Sequence, residues 1–126
     1  MAEDRPWPPA PPPAVLVEPL LRAALREDLG RAGDVTSAAV IDAGALAQAR
    51  LVARQAGVTA GLGVAAQVFA LVDPAITVAL RAADGDAVAA GAVLAEVAGS
   101  ARGILAAERV ALNLVGRLCG IATLTR

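Results

Sequence analysis

The chain has 126 residues, a formal net charge of −1 and a hydrophobic content of 57%, enough for one domain with a moderate core, or a domain with appendages. It contains no His, Lys or Tyr, and all eleven of its basic residues are Arg. These absences exclude a Ser-His-Asp or Cys-His arrangement within the chain, a His-ligated metal and a Schiff-base lysine, and the near-zero charge offers no strong field to nucleic acid.

The first stretch, 1–14, holds six of the eight prolines, after Glu3, Asp4 and Arg5. It lacks the apolar run of a secretory signal and reads as a disordered, polyproline-II tail; the same composition also suits an SH3-type ligand. Residues 15–29 predict a first helix. Leu16, Leu20, Leu21, Ala24 and Leu25 form its apolar stripe, Pro19 lies near its start and Gly30 closes it. Gly33-Asp34-Val35-Thr36-Ser37 predicts a turn in which Asp34, Thr36 or Ser37 caps a short element. Residues 46–54 alternate, with Ala47, Ala49, Leu51 and Ala53 on the drier side of a strand.

Residues 55–72 are the longest uncharged run, but three glycines, two Gln and a Thr make them a turn followed by a buried helix over 64–72, not a membrane span. Asp73-Pro74 stops that helix. Ile76, Val78 and Leu80 alternate as a strand, Asp84-Gly85-Asp86 turns the chain, and Val93, Ala95 and Val97 form another strand that ends at Gly99. The order of elements predicts an α+β fold with a small, mostly antiparallel sheet and helices. It divides the chain into a tail (1–14), an α+β domain (15–103) and a last segment (104–126) that holds a long helix.

That last helix starts at Ile104, is capped by Ser100 and stops at Gly120. Its apolar stripe is Ile104, Ala107, Ala111, Leu114, Val115 and Leu118. Arg109, Asn113 and Arg117 recur at four-residue steps and line up on another face. On helix geometry alone this row reads either as a solvated face or as an anion-binding one, since the planar guanidinium meets a carboxylate or phosphate with two hydrogen bonds. The lone Cys119 lies beside the apolar stripe as a small buried thiol and fits a reducing compartment. The chain ends while still apolar, which reads as an interruption.

Two local patterns suggest other functions. Gly61-Leu62-Gly63-Val64-Ala65-Ala66 matches a loose dinucleotide-binding fingerprint, with Asp84 and Asp86 at nearly the expected distance. The strand-turn-strand over 84–97 resembles biotinyl and lipoyl carrier domains, but with no lysine to modify a carrier function is excluded. A lone Asp-x-Asp such as Asp84 and Asp86 is ordinarily a turn and not a cation site.

Four blocks in fixed order carry a more specific resemblance. They are Glu27-Asp28-Leu29-Gly30 with Gly33-Asp34-Val35-Thr36-Ser37; Ala53-Arg54 with Gly57-Val58 and Ala60-Gly61; Asp84-Gly85-Asp86 with Val88 and Gly91; and Ala107-Glu108-Arg109 with Leu112-Asn113 and Gly120-Ile121-Ala122-Thr123. From about residue 25 onward the chain resembles quinolinate phosphoribosyltransferase, the carboxylating nicotinate-nucleotide pyrophosphorylase. The fourth block separates it from the related molybdenum-transport pyrophosphorylase-like proteins.

The resemblance implies an N-terminal α+β domain followed by an open α/β barrel domain, of which 104–126 supply the linker helix and the start, while the rest lies outside this chain. It implies a cytoplasmic homodimer or higher homo-oligomer of NAD biosynthesis. That enzyme joins quinolinate to phosphoribosyl pyrophosphate and releases nicotinate mononucleotide, pyrophosphate and CO2, with Mg2+ held by the barrel; this stretch alone is then inactive. The one site residue the resemblance places here is Arg109, which reaches across the dimer to a quinolinate carboxylate. Arg102 and Arg117 are lesser candidates, and Cys119 stands where a serine is usual, so its turn is expected to be held differently. No metal or catalytic residue is expected in this chain, and no nucleic-acid or membrane partner. A free-standing dimerisation module and, less strongly, a dinucleotide-binding domain are the alternative functions.

Overall fold

Small residues set how closely the elements of this chain approach one another. The structure, a computed structural model, describes residues 13–30 and 41–125. The Pro-rich run 1–12 and the Gly33–Ser37 turn lie outside the described residues. Helix α1 spans Ala14–Asp28, β1 Leu46–Val52, β2 Gly57–Val58, α2 Leu62–Val72, β3 Thr77–Leu80, β4 Ala87–Val88, β5 Val93–Ser100 and α3 Ala101–Thr125. The expected α+β class and antiparallel sheet are what the chain forms.

β5 is the centre of the main sheet, in the order β1-β5-β3, with both pairings antiparallel. Leu46 pairs with Ser100 and Leu51 with Ala95, and the register shifts between Leu51 and Val52; Val78 pairs with Val97. A two-stranded ladder joins β2 to β4, Gly57 to Val88 and Val58 to Ala87. The alternation read in β1 holds in part. Ala47 and Leu51 pack on the core, while Ala49 on the same side is exposed, as fits a strand at the sheet edge.

The core lies between this sheet and the helices. Leu94 and Val97 of β5 share one buried cluster with Leu62, Ala65, Val68 and Phe69 of α2 and with the buried face of α3, Ile104, Ala107, Ala111 and Val115. α3 also buries Ala106 and Val110, a wider face than the predicted stripe, and leaves Leu114 and Leu118 half-buried. α1 meets α2 and α3 along one narrow edge, Val17, Leu21, Ala24 and Leu25, at i, i+4, i+7 and i+8. Leu16 and Leu20, part of the expected stripe, are therefore 65% and 70% exposed, because each is turned about 100° from that edge.

Side chains fix two of the helix ends. The Ser100 hydroxyl accepts from Gly103 N–H at 3.2 Å and caps α3, which starts at Ala101, three residues before the expected Ile104. α2 starts at Leu62, two residues before the expected Val64, and its end at Asp73 is fixed by Asp73 Oδ1, which accepts from Ala75 N–H at 2.9 Å. Gly120, expected to stop α3, does not do so, and the helix continues to Thr125. A glycine ends a helix where the backbone takes positive φ; Gly120 does not, and neither does Gly30, expected to close α1, which instead ends at Asp28 with Leu29 still in a right-handed helical conformation. The turn beyond Gly120 is held from both sides. The Thr123 hydroxyl donates to Cys119 O at 2.7 Å and accepts from Val58 N–H at 2.9 Å. Among the described residues no helix is long and apolar enough to cross a membrane.

Candidate functional site on the outer face of α3

The buried face of α3 fixes where its polar residues point. With Ile104, Ala107, Ala111 and Val115 against the core, Arg109, Asn113 and Arg117 lie on the exposed side, one above another. The structure does not make them a cluster. Arg109 Nη1 donates to Asp28 Oδ1 at 3.1 Å, tying α3 to the last residue of α1. Asp28 keeps 16% of its side chain exposed and Arg109 64%. Arg102 Nε donates to Ile41 O at 2.7 Å, so this candidate anchors the chain ahead of β1 to the start of α3. Arg117 is exposed two turns beyond Arg109.

Asn113 lines a groove of about 750 Å3 between the outer side of α3 and the chain from the end of β1 through β2. The α3 wall has Leu112, Gly116 and Gly120, and a Cβ at either glycine would meet nothing within 4 Å. Arg54 and Gln55 supply polar groups on the opposite wall. Sequence reasoning missed both this wall and Asp28, although Ala53-Arg54 and Glu27-Asp28 stand within the blocks that carry the family resemblance.

Those blocks are the polar joints of the fold. Thr59, 1% exposed, donates from Oγ1 to Ala83 O at 2.6 Å; its N–H meets Asp86 O at 2.9 Å and its carbonyl accepts from Gly85 N–H at 2.8 Å. Cys119 Sγ accepts from Ala60 N–H at 3.3 Å and donates back to Ala60 O at 3.4 Å. A hydroxyl makes shorter bonds, so the thiol holds this turn with longer, weaker ones. Gly57 and Gly61 allow the close approach. A Cβ on Gly57 would sit 2.6 Å from Thr123 Oγ1, and Gly61, at φ +82°, faces Leu118 directly.

The dinucleotide reading does not survive this geometry. The backbone N–H at the start of α2 is occupied, since Leu62 N–H donates to Asp84 Oδ1 at 3.2 Å, and Leu118 covers Gly61. A phosphate at that helix end would displace the protein's own carboxylate. β1 and β3, the strands before and after α2, are also held apart by the antiparallel β5 between them, so among the described residues they do not pair as the adjacent parallel strands of a dinucleotide-binding unit. Asp86 is likewise committed to the backbone of its own turn, Oδ2 accepting from Ala83 N–H at 2.8 Å.

Comparison with known proteins agrees with the blocks. The family model described as "Quinolinate phosphoribosyl transferase, N-terminal domain" matches residues 34–119. A relative from Synechocystis sp., named probable nicotinate-nucleotide pyrophosphorylase [carboxylating], is 45% identical over 115 residues, which is 91% of this chain and 38% of the relative. The chloroplastic nicotinate-nucleotide pyrophosphorylase [carboxylating] of Oryza sativa is 39% identical over 128 residues, all of this chain and 34% of the relative. Among solved structures, NadC from Streptococcus pyogenes superposes with a TM-score of 0.85 at 38% identity, covering 90% of this chain and 40% of that one. The chain thus spans little more than a third of the length of the curated relatives it matches. It belongs to the quinolinate phosphoribosyltransferase family and carries that family's N-terminal domain.

Proposed function

We propose that this chain is the N-terminal part of an enzyme that converts quinolinate and phosphoribosyl pyrophosphate to nicotinate mononucleotide, pyrophosphate and CO2, and that Arg109 is its contribution to substrate binding. The observation that carries the proposal is the Arg109 guanidinium, 64% exposed on α3 and gripped at one nitrogen by Asp28. A guanidinium has five N–H donors, and a single contact leaves a fork able to meet a carboxylate. Placed against a dianionic substrate, it offsets charge and fixes orientation. Residues 104–125 then lead from this domain toward the rest of the enzyme.

A homodimer belongs to the same proposal, with Arg109 reaching a partner's site. It is supported by Leu105 and Leu112, two turns apart on one side of α3 and 46% and 43% exposed, which a second surface would cover. A cytoplasmic location is proposed on the free thiol of Cys119. Magnesium does not fit this segment. No group of three or more His, Cys, Asp or Glu is placed to hold a metal among the described residues, and Asp84 and Asp86 are turned to backbone N–H groups. No step is assigned here to the metal, which the proposal leaves to the barrel.

The test is release of labelled CO2 from quinolinate by the intact enzyme carrying this chain. Release that depends on phosphoribosyl pyrophosphate is the expected result; none under any substrate pairing would overturn the proposal. The same exposed apolar residues favour a second reading, a dimerisation module with no reaction of its own. Self-association of the chain without any such activity in the protein that carries it would select that reading.

A further inference from the structure

Asp28 is an unusual choice for the end of α1. It is the last residue of the helix, where the partial negative charge of the exposed carbonyls disfavours a carboxylate. Its side chain is mostly buried, which adds a desolvation cost. The cation that offsets both is Arg109, on another element and 81 residues later in the chain. The pair is asymmetric, with Asp28 16% and Arg109 64% exposed, so the carboxylate is the fixed member and the guanidinium the presented one.

We propose that Asp28 is a positioning residue, which holds Arg109 by Nη1 so that its remaining donors are aligned for a substrate carboxylate before the substrate arrives. This rests on the reading of Arg109 as a quinolinate contact. An arginine side chain left to itself samples many rotamers, and binding must then order it; a carboxylate that holds it in advance lowers that cost. The opposite role, a latch that competes with the substrate for Arg109, predicts the opposite sign.

The test uses the intact enzyme carrying this chain, with KM measured separately for quinolinate and phosphoribosyl pyrophosphate. Asp28→Asn should raise the quinolinate KM about 5-fold, between the small worth of an exposed ion pair and the larger cost of a misplaced clamp, and leave the other KM unchanged. Asp28→Glu, which keeps the charge, should fall between wild type and Asp28→Asn, and it serves as the test if Asp28→Asn does not fold. In an Arg109→Ala background, Asp28→Asn should add no further loss. A lowered or unchanged quinolinate KM, or an equal loss for both substrates, would overturn the positioning role. Should Arg109→Ala itself leave the quinolinate KM unchanged, the underlying reading of Arg109 fails, whatever Asp28 does.

Discussion

Thr59 concentrates at one residue what joins the second and third sequence blocks. Its hydroxyl, on a side chain 1% exposed, donates to Ala83 O at 2.6 Å, in the turn that also orients Asp84 and Asp86. Thr59→Val keeps the shape and removes the donor, leaving a carbonyl short of its partner. A loss of about 1–3 kcal/mol is expected from the midpoint of urea unfolding, and an unchanged midpoint would remove Thr59 from this role. No local pattern marks Thr59 as buried, because its partners lie more than twenty residues away. Asp28 was hidden for the same reason. It stood in a recognised block, yet the pairing with Arg109 depends on where α1 crosses α3, which no local pattern encodes. Arg109, by contrast, was legible, since its outward direction follows from the period of its own helix.

Among the elements, α2 and α3 set the limits of the fold through their glycines. Gly61 lies at φ +82° and its missing Cβ is where Leu118 of α3 packs. Gly61→Ala meets both the left-handed backbone cost and that contact, so a loss of about 1–2 kcal/mol or more is expected in thermal unfolding. Gly116 is the control: it is mid-helix, exposed and has nothing within 4 Å of an added Cβ, so Gly116→Ala should stabilise by about 1 kcal/mol. The reverse order of the two variants would contradict the packing described. Strands and helices were readable because alternation and the 3.6-residue period dominate their composition. The overextended stripe of α1 and the false stop at Gly120 share a cause. Leu16 and Leu20 lie outside a contact edge only two ridges wide, and Gly120 stays helical because Thr123 fastens the last turn to β2.

At the scale of the whole molecule, the family match and the exposed side of α3 belong together. The helix buries Ile104, Ala107, Ala111 and Val115 inward and leaves Leu112, Ile121 and Leu124 outward, the last 89% exposed. A domain with its own core and apolar residues left exposed along its last helix is suited to packing against more protein, and the relatives it matches are about two and a half to three times as long. Composition had already excluded His- and Lys-based chemistry, so what the segment can bring to a reaction is charge and position. The measurement that tests this most directly is the steady-state kinetics of Arg109→Ala in the intact enzyme carrying this chain. A loss of about 2–4 kcal/mol in transition-state binding for quinolinate is the expected result, with phosphoribosyl pyrophosphate binding preserved. Unchanged quinolinate kinetics would contradict the account.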